Sequence, residues 1–402
     1  MYSVPSKWER LFCLIKLLSL FSGIGAPEAA MKRIGLDFEV VGFSEINPKA
    51  VRAYCAIHNI DPGLNFGDVA SINTDDLPDC DIVTWSSPCQ DFSLSGKNAG
   101  SLCVCDDCGY QYNPILVPYD KRDKCPVCGS TKLSGTRSSL IIEGLRILRA
   151  KRPTISVYEN VKTIQNKRHQ ETFQAFLKEL ESIGYNNYYQ VLNARDFGVP
   201  QNRYRLFIVS ILKEEDDGSF TFPDPFPLTE TAYDRLEDDV DEKYYIDDEK
   251  AKNLISRFED KIKKRMVGNK CLCEERYDEG LRFFKNNRCT SIRCQNAGGE
   301  KKVIVAISTS HSDDGKIVQQ IEPQYSGCCN TLTTVAKDNM LLDGARIRNL
   351  TPRECWRLMD FTDEDYDKAE KAGLRRSQLY RTAGNSIVVS VLCKIFLHYY
   401  KK

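Results

Sequence analysis

The sequence predicts an α/β fold, a parallel sheet wrapped by helices, with a smaller second domain appended. From residue 16 to residue 210 short apolar runs alternate with helical stretches, the pattern of βαβ units on a parallel sheet. A glycine turn, Gly23-Ile24-Gly25, follows the first apolar run and opens the first helical stretch. Between residues 212 and 344 the alternation stops, and polar, irregular sequence carries acidic and basic runs in turn.

In chain order, strands are expected at residues 17–21, 39–44, 82–85, 155–159 and 205–211, with helices at 26–34, 48–58, 138–149 and 170–183. The run Ile82-Val83-Thr84-Trp85 leads into Ser87-Pro88-Cys89-Gln90, so a rigid proline turn holds a cysteine at the sheet edge. Beyond the irregular block, residues 351–358 read as a helix. Thr351 is its cap, Pro352 takes its first position and Glu354 the capping-box position. Residues 386–399 form a strongly apolar helix, expected to pack back on the first domain. The resulting boundaries are 14–211 for the first domain, with an insertion at 101–134. The second domain takes 212–345, and 346–402 return to the first.

A chain of 402 residues has room for two or three domains and a large core. Its 42% hydrophobic and 28% charged residues are those of an ordinary soluble globular protein. Formal net charge is zero, so overall charge points to no polyanionic partner. Basic clusters at 146–152, 261–270 and Lys301-Lys302 oppose acidic ones at 214–217 and 237–249. Such a split suits one side facing a polyanion, and equally the solvated faces of ordinary helices. Seventeen cysteines would suit a secreted disulfide protein, but the one candidate export signal, residues 11–21, has Lys16 in its middle. No run approaches the length of a membrane span. A reducing cytoplasm is expected, with cysteines in the core, in catalysis or on metal, and no membrane partner.

Glycines in the first turn let backbone N–H groups approach a ligand at a helix N-terminus. Glu45 ends the next strand and is placed for ribose hydroxyls. Asp68, in Gly67-Asp68-Val69, sits where a further strand ahead of residue 82 is expected to end, and suits an exocyclic amine. By themselves these features serve a dinucleotide dehydrogenase equally well.

Around the turn Phe21-Ser22-Gly23-Ile24-Gly25 stand Ser87-Pro88-Cys89-Gln90, Glu159-Asn160-Val161, Gln201-Asn202-Arg203-Tyr204-Arg205 and Gly384-Asn385-Ser386. In that order, over nearly the whole chain, these segments resemble the DNA cytosine-5 methyltransferase family. The resemblance implies a Rossmann-like S-adenosylmethionine-dependent methyltransferase domain with a smaller target-recognition domain at 212–345. It places S-adenosylmethionine on Phe21, Gly23, Ile24, Gly25, Glu45, Ile46, Asp68, Val69, Pro88, Asn385 and Ser386.

Cytosine carbon 5 is a poor nucleophile, and a thiolate added to carbon 6 turns it into an enamine carbon. A free thiol with a pKa of roughly 8.5 is only a few per cent ionised at neutral pH, so the site must help. On the family pattern Cys89 is the nucleophile and Glu159 donates to ring nitrogen 3. Arg205 holds the exocyclic oxygen and Arg203 supports the nucleophile segment. Each has a plainer alternative: a buried cysteine as small hydrophobe, a glutamate as strand-end cap, an arginine pair in surface salt bridges. Their coincidence in one order, each at a strand end, favours the enzyme. A base inside a duplex is stacked, so it must be flipped out, and Phe92-Ser93-Leu94-Ser95-Gly96-Lys97 matches the family's loop after the nucleophile.

Cys105-x-x-Cys108 and Cys125-x-x-Cys128, with sixteen residues between the pairs, interrupt that pattern before Thr136-Arg137-Ser138-Ser139-Leu140 resumes it. Each pair precedes a glycine, Gly109 or Gly129, and Pro126 tightens the second: a zinc-ribbon signature. Cys103 is a spare that can replace Cys105, and Gly135 stands where the family often has an acidic residue. In the second domain Cys329-Asn330-Thr331-Leu332-Thr333-Thr334 resembles the family's Thr-Leu element. Lys263, Lys264, Arg265, Arg282, Arg288 and Arg293 are candidate phosphate or guanine contacts. Cys271, Cys273, Cys289 and Cys294 are irregularly spaced and read as ordinary thiols rather than a second metal site.

The expected function is sequence-specific cytosine-5 methylation of double-stranded DNA by a cytoplasmic enzyme, bacterial or phage-encoded, in a restriction-modification or phage setting where a cognate restriction endonuclease is a functional partner. Structured RNA is the alternative substrate. Against it stand the long variable block and the lack of a second cysteine at the end of the Glu159 strand. A nicotinamide-dependent oxidoreductase shares the glycine turn and Glu45 but gives Pro88-Cys89-Gln90 no role. A non-catalytic DNA-binding module would lack Cys89 or Glu159, and both are present.

Overall fold

Leu17 and Leu18 are both fully buried, yet they belong to two separate apolar cores. Neighbours on a strand point to opposite faces, so the first strand is covered on both sides. The computed structural model describes residues 14–88, 101–135, 137–264, 270–276, 280–284, 289–290, 300–305, 308–311, 317–320 and 346–400.

The first half holds β1 (Ile15–Leu20), α1 (Ala26–Arg33), β2 (Phe38–Ser44), α2 (Pro48–His58), β3 (Ile82–Trp85) and three short strands, β4 (Cys103–Cys105), β5 (Gln111–Tyr112) and β6 (Leu133–Gly135). Then come α3 (Ile141–Lys151), β7 (Ile155–Val161), α4 (Gln170–Ile183), β8 (Tyr185–Asn193), β9 (Gln201–Asn202) and β10 (Tyr204–Leu212). Next are α5 (Asp248–Lys263), β11 (Lys270–Arg276), β12 (Gly280–Phe283), β13 (Cys289–Thr290), β14 (Glu300–Val305), β15 (Ser308–His311), β16 (Ile317–Gln320) and β17 (Arg346–Asn349). Four helices close the chain: α6 (Pro352–Arg357), α7 (Asp363–Lys371), α8 (Arg376–Asn385) and α9 (Val389–Tyr400).

The main sheet has six strands in the order β2-β1-β3-β7-β10-β8. β2, β1, β3 and β7 run parallel, so the chain leaves all four at one edge. Helices α3 and α4 cover one face, while α1, α2 and the C-terminal helices cover the other. α9 closes that second face: Val391, Ile395 and Phe396 are buried, and the Cys393 thiol lies 3.6 Å from Ala30 O of α1. The stretch Arg376–Tyr400 has the length and apolarity of a membrane span, but 61% of its apolar window is buried inside the protein, as in a core helix.

The structure departs from the sequence-based expectations at several places. The sheet is mixed, because β10 runs antiparallel to both β7 and β8, and a connection as short as 194–203 can join β8 to β10 only that way. β8 itself was not expected, since Asn186, Asn187 and Gln190 on a sheet edge hide its alternation. The strand expected before Asp68 is absent from these described residues. Asn65 forms one isolated bridge with Phe43, and Asp68 caps a short 3-10 turn, Val69–Ser71, accepting the Ala70 N–H at 3.0 Å. Asn65 likewise accepts the Gly67 N–H, and such local side-chain bonds compete with a strand ladder. The helices expected at 138–149 and 386–399 begin later, at Ile141 and Val389, the first behind a 3-10 turn at Arg137–Leu140.

A second sheet, β12-β11-β14-β17, packs with α5 around Ala251, Ile255, Cys271, Leu281 and Ile347. It takes in residues 346–349, which the expected boundaries gave to the returning segment. The expected cap of α6 is present: Thr351 accepts the Glu354 N–H, and Glu354 accepts the Thr351 N–H. Glu354 also holds the fully buried guanidinium of Arg348 at 2.8 and 2.9 Å.

Candidate active site

β3 and β7 lie in parallel register with Trp85 opposite Tyr158, so Ser86-Ser87-Pro88, which follow the end of β3, run on alongside Glu159-Asn160 of β7. Three buried polar groups tie the two segments together. Asn160 Nδ2 donates to Tyr158 Oη at 2.7 Å and to Ser87 O at 3.1 Å, and Ser87 Oγ lies 2.9 Å from Tyr158 Oη. Ser86 Oγ donates to Glu159 Oε2 at 3.1 Å, and Arg205 Nε meets Glu159 Oε1 at 3.0 Å. Glu159 pairs across the ladder with Phe207, two residues along β10 from Arg205, the spacing at which diagonal neighbours touch. The structure therefore unites Glu159 and Arg205 beside Ser86, two residues before Pro88. Cys89 and the segment 92–97 lie outside the described residues, as does Thr136.

Arg203 is buried and donates to Gly384 O at 3.0 Å and Ser386 O at 2.7 Å at the end of α8. It thereby anchors Gly384-Asn385-Ser386 to the strand that carries Arg205. Sequence reasoning gave no role to Ser86, Ser87, Tyr158 or Asn160. Their signal is the register of two strands, which only the fold reveals.

At the same sheet edge a cavity of about 490 Å³ is lined by Glu45, Ile46, Pro48, Val51, Arg52, Asn65, Gly67 and Asp68. Glu45 accepts the Gly23 N–H at 3.1 Å and the Asn47 N–H at 2.8 Å, which ties the glycine turn to the cavity wall. Burial pushes its carboxyl up from the ordinary 4.5, against the lowering effect of the Asn47, Gly23 and Ile46 N–H groups. Gly23 and Gly25 both hold positive φ, and a Cβ on Gly25 would collide with His58 and Tyr54, whereas one on Gly23 would meet nothing within 4 Å. Ile46 is 71% exposed, an apolar side chain left open on the cavity rim. Ile24 and Val69 are buried in the core, so only their main chain can serve a ligand. Val51, Arg52 and Asn65 join the site without having been foreseen.

The model of the C-5 cytosine-specific DNA methylase family matches residues 15–102 and 127–401. The chain belongs to that family. The orphan methyltransferase M.SPBetaI of Bacillus phage SPbeta is 33% identical over 436 aligned residues, covering 95% of this chain and 96% of that one. The type II methyltransferase M2.ScrFI of Lactococcus lactis subsp. cremoris is 31% identical, covering 96% and 99%. Among solved structures, the Entamoeba histolytica methyltransferase EhMeth superposes with a TM-score of 0.59 at 17% identity, covering 96% of this chain and 98% of that one. S. pombe Dnmt2 superposes at 0.58 and 18%, with the same coverage. At such identities these two establish the fold, an α/β methyltransferase fold. This DNA methylase is thus a DNA (cytosine-5) methyltransferase; its substrate is DNA, its methyl donor S-adenosylmethionine, and the RNA alternative is the weaker reading.

The unmatched stretch of this DNA methylase, 103–126, falls within the cysteine insertion. There the Sγ atoms of Cys105, Cys108, Cys125 and Cys128 all lie within 4.8 Å of one another. Cys105 and Cys128 are 3.5 Å apart, Cys108 and Cys125 3.7 Å. Each knuckle closes on its glycine: the Gly109 N–H donates to Cys105 O, the Gly129 N–H to Cys125 O, both glycines at positive φ. The Cys125 thiol is pulled down to about 7, chiefly by the backbone N–H of Cys128 and then of Val127. Cys103 is not in the group. Buried Cys271, Cys273 and Cys289 form no such cluster among the described residues, and Cys294 lies outside them. Of the expected DNA contacts, Lys264 and Arg282 are exposed. Arg265, Arg288, Arg293 and residues 329–334 lie outside the described residues, and nothing is described of the Lys263 side chain.

Proposed function

We propose that this DNA methylase transfers methyl to carbon 5 of a flipped cytosine through a covalent adduct on Cys89, with Glu159, Arg205 and Arg203 as its supporting residues. The observation that carries the proposal is the Glu159–Arg205 pair, 3.0 Å apart beside the exit of β3 toward Cys89. The Cys89 thiolate adds to carbon 6, and the electron pair moves toward carbon 5 and the ring's amide system. Glu159 delivers a proton at nitrogen 3, and Arg205 holds the exocyclic oxygen where charge builds. The cofactor supplies an electrophilic methyl group. Carbon 5 then gives up its proton to a solvent base, that bonding pair re-forms the ring double bond as the sulfur–carbon bond breaks, Cys89 leaves as thiolate, and nitrogen 3 returns its proton to Glu159. Arg203 acts by fixing the Gly384–Ser386 carbonyls.

The cavity fits S-adenosylmethionine. The Glu45 carboxylate accepts two N–H bonds and keeps lone pairs for ribose hydroxyls, Ile46 offers an apolar face to adenine, and Asp68 can accept its exocyclic amine. Phe21, Gly23, Ile24, Gly25, Val69, Pro88, Asn385 and Ser386 complete the site as the family motifs place them. Zinc fits the four cysteines: tetrahedral ligands at about 2.3 Å from a metal lie roughly 3.8 Å apart, against 3.5 and 3.7 Å here. The zinc would hold the two knuckles together. We assign 14–211 and 350–402 to the catalytic domain, 101–134 to the zinc ribbon and 212–349 to target recognition, because residues 346–349 are a strand of the second sheet. The orphan and type II names of the relatives support a bacterial or phage-encoded enzyme of the bacterial cytoplasm in a restriction-modification or phage setting, and a cognate endonuclease is its proposed functional partner.

The test is bisulfite sequencing of a plasmid incubated with the protein and S-adenosylmethionine, beside a Cys89→Ala control. Methylcytosine confined to one short sequence, and absent from the control, is the expected result. Methylation that survives in Cys89→Ala would overturn the assigned nucleophile.

A further inference from the structure

We infer that the cysteine ribbon is a positioning strut for the methyl-transfer step, which ties the chain on both sides of the insertion to helix α4. The inference rests on the reading that the four cysteines hold zinc. Three sets of contacts carry it. The insertion is closed at its base by the β4–β6 ladder, with Cys103 opposite Gly135, Val104 opposite Ser134 and Cys105 opposite Leu133. Cys105 is both a rung of that ladder and one of the four clustered thiols, so metal and ladder order one another.

The far side of the ribbon is docked on the catalytic domain. Arg122, its side chain only 7% exposed, forms a two-pronged pair with Glu179 of α4 at 2.9 and 3.2 Å. The same guanidinium donates to Ile115 O and Val117 O, so it also shapes the ribbon. Asn113 Nδ2 donates to Thr172 Oγ1 at 2.7 Å, Ile115 is buried in the core under α3 and α4, and Arg149 of α3 lies 4.4 Å over the Tyr119 ring. A paired, largely desolvated arginine–carboxylate fork gives fixed geometry rather than mere adhesion.

At the base, a Cβ on Gly135 would come within 2.4 Å of Ser139 Oγ and 3.3 Å of Cys103 Sγ. The turn Arg137–Leu140 that leads into α3 is therefore pressed against the ladder. On the other side, Ser101 is buried where the chain enters the ribbon from the nucleophile segment.

Charge argues against the ribbon as a DNA contact. Residues 101–135 hold four acids (Asp106, Asp107, Asp120, Asp123) and four bases (Lys121, Arg122, Lys124, Lys132), a net of zero. A zinc with four thiolates adds about −2, and Arg122 is already spoken for by Glu179. Such a surface does not attract phosphate.

Arg122→Ala, Arg122→Lys and Gly135→Ala test the strut, each measured for zinc content, S-adenosylmethionine affinity, single-turnover methylation rate and KM for DNA. Arg122→Ala and Gly135→Ala should keep stoichiometric zinc and wild-type cofactor affinity. Their single-turnover rate should fall about tenfold to a hundredfold, the scale of a small misplacement of reacting groups. KM for DNA should hardly move, and Arg122→Lys should recover part of the rate. A wild-type rate in both zinc-loaded variants overturns the strut. So does a rise in KM alone, which marks a DNA contact, or a rate that falls only in step with cofactor affinity. Wild-type protein without zinc overturns the metal reading on its own.

Discussion

Glu45 carries two demands at once: it closes the glycine turn by accepting the Gly23 N–H, and it faces the cavity proposed for the cofactor. Its carboxyl is raised in the folded protein by burial. A carboxyl raised on folding is favoured protonated there, so its charge costs stability at neutral pH and that cost is relieved as pH falls through the raised value. Ribose hydroxyls bind the charged form best. Affinity for S-adenosylmethionine should therefore weaken on acidification at a higher pH than an ordinary glutamate near 4.5 would give. Glu45→Gln should bind more weakly at pH 7 yet stay flat over that range, which titration calorimetry across pH checks. Glu45 was legible in the sequence because an acid after the second strand is a local pattern. The Ser87–Tyr158–Asn160 network was not, because it exists only once β3 and β7 are in register.

Among elements, α6 shows how far local chemistry reaches. Thr351, Pro352 and Glu354 announced its start, and the structure has both reciprocal bonds of the capping box. What local pattern could not announce is the second use of Glu354, which pairs with buried Arg348 of β17 and accepts the Glu237 N–H at 2.9 Å. Glu354→Ala would strand a buried guanidinium and two main-chain donors. It should cost about 3–5 kcal/mol, read as a lowered midpoint in urea denaturation. β8 was missed for the converse reason: an edge strand with one solvated face tolerates Asn186, Asn187 and Gln190, and its apolar signal is diluted. Asp68 misled because its motif was read as a strand end, when its own side chain caps a turn instead.

For the whole molecule, the sheet divides two cores, and the one under α1 is completed by α9. Phe396 lies fully buried in that core. Phe396→Ala should cost about 3–5 kcal/mol, and thermal unfolding should show it as a loss for the entire catalytic domain rather than for a frayed end. The apolar 386–399 stretch made such packing legible; its partner, α1, was not, since nothing in either helix names the other. Their contact joins residues 363 positions apart in sequence, at Ala30 and Cys393. On a ribosome adding roughly 5–20 residues per second, α1 waits some 20–70 s for α9 to emerge. Through that interval the apolar face of α1 and its sheet is open to chaperones, and the DNA of the cell that makes this enzyme is not yet exposed to a finished methylase.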